Sequence, residues 1–163
     1  MVALSVVIPA KNEAGNIGQL LRDIESACAP HAAFEIIVVD DKSEDETAAV
    51  VQELAAQNPH LRLIRHDRSG GQSAAVHSGV RAAKAAIVCT LDGDGQNPPE
   101  NLPKLFLPLL DPSNQAVGIV AGQRVGRRDT LSKRLASRFA NGLRGWMLKD
   151  GTRDTGCGLK GFR

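Results

Sequence analysis

The segment Asp92-Gly93-Asp94-Gly95-Gln96 pairs two carboxylates with two glycines. Carboxylates two residues apart point to one side of an extended backbone, and the glycines let the chain turn closely beneath a ligand. Hard oxygen donors of this kind suit Mg²⁺ or Mn²⁺, and a Mg²⁺ site commonly uses one or two carboxylates and leaves its other positions to phosphate oxygens and water. The segment therefore predicts a metal site, with a simple Asp-Gly turn as the open alternative.

A calcium loop and a phosphatase turn fit this segment less well. A calcium loop that began at Asp92 would need Gly at its sixth position and Glu at its twelfth, where this chain has Asn97 and Pro103. Phosphatases with an aspartyl nucleophile carry their D-x-D turn after the first strand, whereas this one follows the fourth predicted strand, so phosphoryl transfer is kept as a minor alternative. The sequence has no G-x-G-x-x-G after the first strand, which disfavours cofactor-dependent redox chemistry. It also has no G-x-x-x-x-G-K-[ST], which disfavours P-loop hydrolysis.

Short apolar runs, most of them followed by segments with helical spacing, must position these groups. Nearly continuous apolar runs are typical of parallel strands that are covered on both faces. We therefore expect an α/β fold, with a Rossmann-like, mostly parallel sheet and helices on both faces. Ser43 and Glu46 form a capping box that predicts the start of the second helix. The predicted strands are Leu4–Pro9, Phe34–Val39, Leu61–Arg65, Ala86–Leu91 and Val117–Ala121.

Polar residues follow each of the first four predicted strands. Ligands of an open parallel sheet bind beyond the carboxyl ends of its strands, so we expect these residues to share one crevice. They are Lys11-Asn12-Glu13, Asp40-Asp41, Asp67 to Gln72, and Asp92 to Gln96.

Charge is unevenly distributed along the chain. Residues 1–120 carry a formal net charge of −6 and residues 121–163 one of +8, which predicts a basic end that faces an anionic partner. Within that end, Leu131–Leu148 is predicted to form a basic amphipathic helix that either packs on a core or touches lipid. Aromatic residues make up only 3% of the chain, with no Tyr and one Trp, so nucleic-acid binding by base stacking is not expected.

Length and cysteine content predict one domain in a reducing cytoplasm. The chain has 163 residues and three cysteines, and an odd number argues against a disulfide framework. An apolar run of the roughly 20 residues that span a membrane does not occur, and no basic segment precedes the first strand. We therefore expect a chain that is neither secreted nor integral to a membrane.

Four motifs follow one another along the chain, at Val7–Glu13, Val38–Thr47, Gly70–Gly79 and Thr90–Pro99. Their order resembles that of the family-2 inverting glycosyltransferases of the GT-A fold. The closing Asp154–Arg163 resembles the branch that makes polyprenyl- or dolichyl-phosphate sugars. The resemblance implies one GT-A catalytic domain over residues 1–163. Because relatives usually continue with further helices, it also implies either a chain truncated at the carboxyl end or a minimal form.

The resemblance implies a nucleoside pocket in which Asp41 accepts a hydrogen bond from the base and Glu13 reaches the ribose. Lys42 departs from the family, which more often has Gly in this D-D-G-S turn. The Thr155–Gly158 loop would lie near the acceptor. The donor-binding residues implied are Pro9, Lys11, Glu13, Asp40, Asp41, Gly71, Gln72, Asp92, Gly93 and Asp94.

The resemblance also implies a metal site and phosphate contacts. Asp92, Asp94 and Gln96 would surround Mg²⁺ or Mn²⁺. Arg124, after the fifth predicted strand, and Arg138, on the basic helix, would face phosphate groups, and both would be catalytic together with Asp92 and Asp94.

The implied reaction moves a hexose from GDP-mannose or a UDP-sugar to a polyprenyl or dolichyl phosphate, as in cell envelope glycan biosynthesis. An acceptor phosphate needs no general base, whereas a sugar hydroxyl would need one, for which Asp150 and Asp154 are the candidates. A family-2 transferase that acts on a sugar hydroxyl and a nucleotide-sugar-binding module without turnover remain open. We expect a cytoplasmic enzyme, peripheral on the inner face of the membrane, with no nucleic-acid partner and with an oligomeric state that the sequence leaves open.

Overall fold

The structure, a computed structural model, describes residues 2–122 and 158–163, which form one six-stranded sheet with four α-helices. The strand order is β3-β2-β1-β4-β6-β5. The pairs β1–β2, β2–β3 and β1–β4 are parallel, and β6 runs antiparallel to β4. The strands are β1 (Leu4–Ala10), β2 (Phe34–Asp40), β3 (Leu61–Arg65), β4 (Ile87–Thr90), β5 (Ile119–Ala121) and β6 (Lys160–Phe162). The helices are α1 (Ile17–Cys28), α2 (Thr47–Gln57), α3 (Gln72–Ala82) and α4 (Leu102–Leu110).

Helices cover both faces of this sheet, as the apolar runs predicted. Helix α3 packs so closely on one face that a Cβ added at Gly79 would overlap the side chain of Val7 and lie 3.1 Å from Val39. On the other face, a Cβ at Gly161 would lie 3.1 Å from Cys89 Sγ and 3.2 Å from Leu105 of α4. The mostly parallel α/β fold is therefore confirmed, and each of the five predicted strands begins and ends within two residues of its prediction.

The capping box predicted for α2 is wrong. Helix α2 begins at Thr47, and Glu46 before it makes no side-chain capping hydrogen bond. The hydroxyl of Ser43 instead accepts a hydrogen bond from the N–H of Asn12, 2.9 Å away, and the carboxylate of Asp45 accepts one from the N–H of Thr47 at 3.0 Å. Ser43 is thus used to join the loops that follow β1 and β2, a contact that spacing along one helix cannot predict.

Lys42 lies on an exposed turn after β2, in the left-handed region with a φ of +59°. A side chain with a Cβ is strained there, whereas glycine, the residue that the resemblance implies at this position, is not. Replacing Lys42 by glycine is expected to raise the free energy of unfolding by about 0.5–1 kcal/mol. Glycine relieves the backbone strain, and this gain exceeds the additional backbone entropy that a glycine loses on folding. Urea unfolding followed by circular dichroism measures this change. The control is Lys42→Ala, which removes the charge but keeps the Cβ. An equal gain in that variant would show that the charge, not the backbone, is responsible.

Residues 2–120 and 158–163 form one compact unit by their contacts. None of the helices in the described ranges combines the length and the apolar character that a membrane crossing demands. The predicted basic helix Leu131–Leu148 lies outside the described residues. A single domain over residues 1–163 therefore stays a prediction.

Candidate active site

A crevice of about 380 Å³ opens beyond the carboxyl ends of the parallel strands. All four strand ends contribute to it, as expected from the parallel pairing of β1 to β4. Its lining residues are Pro9, Ala10, Lys11, Glu13, Asp41, Ser69, Gly71, Gln72, Asp92, Gly93 and Asp94. Nine of the ten residues predicted to bind a donor are in this set.

Asp40 is the exception, and its predicted contact with a donor does not fit the structure. Its side chain has no exposed surface. The carboxylate accepts a hydrogen bond from the N–H of Ser43 at 3.0 Å and forms an ion pair with Arg65 Nε at 3.2 Å. Asp40 therefore holds the end of β2 to β3 and to the turn that follows, behind the wall of the crevice.

Asp41 holds the loop after β3 in place. Its Oδ2 accepts hydrogen bonds from the hydroxyl of Ser69 at 2.6 Å and from the N–H of Gly71 at 2.8 Å. Its Oδ1 accepts one from the N–H of Gly70 at 2.8 Å and lies 2.8 Å from His66 Nδ1. These hydrogen bonds, that of the Ser69 hydroxyl above all, hold the pKa of Asp41 well below its usual range. The carboxylate is therefore charged at neutral pH and shapes the loop that borders the crevice.

His66 extends this arrangement to α3. Its Nε2 lies 2.9 Å from the hydroxyl of Ser78, so that Asp41, His66 and Ser78 form a hydrogen-bonded row. Both His66 and Ser78 stand behind Asp41 and do not belong to the residues that line the crevice in the described part of the chain. The row therefore orients Asp41. Sequence patterns missed His66, and the only available signal was its place at the end of β3.

The carboxylate of Asp92 is held from two sides by amide groups. Gln72 Nε2 donates to Oδ1 at 2.6 Å, and Asn97 Nδ2 donates to Oδ2 at 3.3 Å. Gln72 was predicted to face the donor, whereas Asn97 stood out in the sequence only as a mismatch to a calcium loop. Both amides fix the direction of the carboxylate. Side chains that bind metals are commonly oriented by hydrogen bonds of this kind.

The backbone around Asp94 is a turn rather than the extended segment that we expected. The carboxylate of Asp94 accepts a hydrogen bond from the N–H of Gln96 at 3.0 Å, and the side chain of Gln96 is exposed. A Cβ at Gly93 would lie 2.9 Å from the carbonyl oxygen of Pro9, so this glycine allows the loop to approach β1 rather than a ligand. Asp92 and Asp94 nevertheless line the same crevice.

The carboxylates in the crevice suit a cation that is bound together with a phosphorylated ligand. In residues 2–122 and 158–163, no group of three or more His, Cys, Asp and Glu side chains is arranged to hold a metal ion. Asp92 and Asp94 supply two carboxylates to one crevice. Two carboxylates are what Mg²⁺ commonly takes from a protein when phosphate oxygens and water complete its shell. That Gln96 binds the metal and that the lining residues bind a nucleotide-sugar donor stay predictions. Arg124 and Arg138, predicted to face phosphate groups, lie outside the described residues.

Comparison with known proteins gives relatives over nearly the whole chain. The model of the glycosyl transferase family 2 matches residues 5–163. The chain is 37% identical over 163 residues to the undecaprenyl-phosphate 4-deoxy-4-formamido-L-arabinose transferase of Edwardsiella ictaluri, covering 98% of this chain and 49% of that protein. It is 33% identical over 162 residues to the protein of the same name from Klebsiella pneumoniae, with 98% and 48% covered. The chain thus spans about half the length of these curated relatives.

Solved structures resemble the same portion of the chain. A mannosyltransferase from Pyrobaculum calidifontis in complex with GDP-Man and Mn²⁺ superposes with a TM-score of 0.69 at 28% identity, covering 99% of this chain and 44% of that one. The glucosyl-3-phosphoglycerate synthase of Mycobacterium tuberculosis in complex with UDP superposes with a TM-score of 0.75 at 24% identity, covering 99% and 56%. The second likeness shows the fold alone.

Proposed function

Because the chain belongs to the glycosyltransferase family 2, we propose that it is a metal-dependent inverting glycosyltransferase that moves a sugar from a nucleotide-sugar to a polyprenyl phosphate. One observation carries the proposal: Asp92 and Asp94 line the crevice into which all four parallel strand ends open. Curated relatives named as undecaprenyl-phosphate transferases support the acceptor. The complex of the related mannosyltransferase with GDP-Man and Mn²⁺ supports the donor class and the cation.

A diphosphate suits the crevice on electrostatic grounds. Gly71 and Gln72, at the amino end of α3, line it, and the partial positive charge of a helix amino end favours anions. Lys11, whose Nζ donates to the hydroxyl of Ser69 at 2.9 Å, adds a full positive charge to the lining of the crevice. The carboxylates of Asp92 and Asp94 would repel a diphosphate by themselves. A divalent cation held between the carboxylates and the phosphates would attract both and so remove this repulsion.

The proposed reaction is one displacement. An oxygen of the acceptor phosphate forms a bond to the anomeric carbon, the bond from that carbon to the β-phosphate oxygen of the donor breaks, and the nucleoside diphosphate leaves. A phosphate monoester with a second pKa of about 6 is largely dianionic at neutral pH, so no general base is needed. Asp92 and Asp94 would hold the cation, which supplies positive charge beside the leaving diphosphate. Gln72 and Asn97 orient Asp92 for this role.

The identity of the transferred sugar is the most detailed part of the proposal. The motif order predicted a hexose from GDP-mannose or a UDP-sugar, whereas the names of the curated relatives carry an arabinose derivative, which is a pentose. A donor panel must therefore include both classes of sugar.

A product assay tests the proposed function. The chain is incubated with UDP- and GDP-linked hexoses and with nucleotide-linked 4-deoxy-4-formamido-L-arabinose, with Mg²⁺ or Mn²⁺ or with a chelator, and with undecaprenyl phosphate or sugar-alcohol acceptors. We expect one donor to give a lipid-linked sugar, detected by mass, only when metal and lipid phosphate are both present. A product on a hydroxyl acceptor would instead support the alternative transferase. Nucleotide binding without any product would support a binding module.

The proposed acceptor is a membrane lipid, and we propose that the chain lies peripherally on the inner face of the membrane. The net charge of +8 over residues 121–163 predicts attraction to anionic headgroups that salt weakens. Co-sedimentation with anionic and with zwitterionic vesicles, at low and at high salt, measures it. We expect binding to the anionic vesicles at low salt. Equal binding to both vesicle types, or binding that salt does not weaken, would contradict the electrostatic attraction.

A further inference from the structure

The carboxyl-terminal segment begins at Gly158, beside the carboxyl end of β4, and runs back along that strand to Arg163. Strand β6 pairs with β4 so that Lys160 stands opposite Thr90 and Gly161 opposite Cys89. At the far end, the guanidinium of Arg163 donates to the carbonyl oxygen of Leu109 at 2.6 Å. The antiparallel pairing therefore brings Gly158 beside the point where β4 ends and the Asp92 loop begins.

Two contacts join Gly158 to this point. The hydroxyl of Thr90, a residue only 7% exposed, donates to the carbonyl oxygen of Gly158 at 2.8 Å. The α-carbon of Gly158 also faces Asp92 so closely that an added Cβ would overlap the carboxyl group of Asp92. The bare backbone of Gly158 therefore forms one wall of the space that the Asp92 carboxylate occupies.

We infer that Thr90 is a positioning residue for Asp92, because its hydroxyl holds the Gly158 backbone against the carboxylate that faces the crevice. The Gln72 and Asn97 amides hold the two oxygens of that carboxylate, and the Gly158 backbone limits its rotation. This inference rests on the proposed function, since a fixed carboxylate direction matters for a cation bound with a nucleotide. Neighbours that orient a metal ligand commonly change metal affinity by about 10–100-fold when they are replaced.

Thr90→Val and Thr90→Ser separate the hydroxyl from the shape of the side chain. Valine keeps the volume of threonine but cannot donate to the Gly158 carbonyl, whereas serine keeps the donor and loses a methyl group. We expect Thr90→Val to weaken Mn²⁺ binding in the presence of UDP or GDP by about tenfold or more, and Thr90→Ser to stay within about threefold of wild type. Electron paramagnetic resonance of free Mn²⁺ measures the affinity, and thermal unfolding reports the fold.

Gly158→Ala tests the same wall without touching Thr90. Its added methyl group must push the Asp92 carboxylate away, so we expect a loss of Mn²⁺ affinity at least as large as that of Thr90→Val. Gly118→Ala is the matched control, because a Cβ there meets no atom within 4 Å, and the carbonyl of Gly118 also pairs with this carboxyl-terminal segment. We expect the control to bind Mn²⁺ as wild type does.

The outcomes separate this inference from the proposed function. If wild type binds Mn²⁺ with a nucleotide but Thr90→Val and Gly158→Ala bind it equally well, the positioning role is overturned and the proposed function stands. A loss in Thr90→Ser as large as that in Thr90→Val would also overturn it, because the donor would then be irrelevant. A wild-type chain that takes up no Mn²⁺ with either nucleotide overturns both.

Discussion

Replacing Asp92 by asparagine is expected to lower the rate of sugar transfer by about 10²–10³-fold, the usual cost of removing one electrostatic contact from a transition state. Asparagine keeps the shape of Asp92, and its oxygen can still accept the hydrogen bond that Gln72 donates at 2.6 Å. What it loses is the negative charge that would hold a cation beside the diphosphate. Formation of the lipid-linked product is measured with the donor that the panel identifies, and circular dichroism verifies the fold.

Asp23→Asn is the matched control for this loss. Asp23 is exposed on α1, and its carboxylate also accepts a hydrogen bond from a glutamine amide, that of Gln19 at 2.7 Å. The two variants therefore make the same chemical change in the same kind of contact, and only one of them is in the crevice. We expect full activity for Asp23→Asn. Full activity for Asp92→Asn as well would refute the metal assignment.

Asp41→Asn is expected to lower the free energy of unfolding by about 2–4 kcal/mol at neutral pH, because the nearly buried carboxylate accepts hydrogen bonds on both oxygens. An amide has one accepting oxygen, so its NH₂ group would face either the donors on Ser69 and Gly71 or that on Gly70. Because these residues border the crevice, nucleotide binding should weaken as well. Urea unfolding at pH 7 measures the stability.

Acid should reduce the difference between wild type and Asp41→Asn. The pKa of Asp41 is lowered in the folded state, chiefly by the Ser69 hydroxyl. Its stabilisation is therefore present above the unfolded pKa of about 3.9 and is lost as the pH falls from there toward the folded pKa. Unfolding at pH 7 and at pH 3 measures the change. Asp67→Asn, on the exposed part of the same loop, should have little effect at either pH. A penalty for Asp41→Asn that is the same at both pH values would contradict the charged role of Asp41.

The sheet and the position of the crevice could be predicted from sequence because each follows from local pattern and parallel pairing. Short apolar or β-branched runs located β1 to β4, and the rule that parallel strands end at one edge brought Lys11, Asp41 and Asp92 together. The ordered motifs identified the family, which the family match confirms. The inferences about the sheet and the crevice need only the residue pattern of each chain segment and the direction of the strands.

The contacts between loops could not be predicted in the same way. Asp40 and Asp41 are neighbours in sequence, yet Asp40 is enclosed between β2 and Arg65 while Asp41 faces the crevice, and only the packed sheet decides which is which. Ser43 fits a capping pattern, but a partner 31 residues away takes its hydroxyl. The approach of Gly158 to Asp92 likewise depends on the antiparallel pairing of β6, which no local pattern contains.

Calorimetric titration of UDP and GDP into the wild-type chain, with Mn²⁺ or with a chelator, is the most direct measurement of whether the Asp92 crevice joins a cation to a diphosphate. We predict that one of the two nucleotides binds much more tightly with Mn²⁺ than with chelator. In Asp92→Asn, Mn²⁺ should no longer strengthen that binding. Nucleotide binding that is equally tight with and without Mn²⁺ in the wild-type chain, or an effect of Mn²⁺ that Asp92→Asn retains in full, would contradict the proposed site.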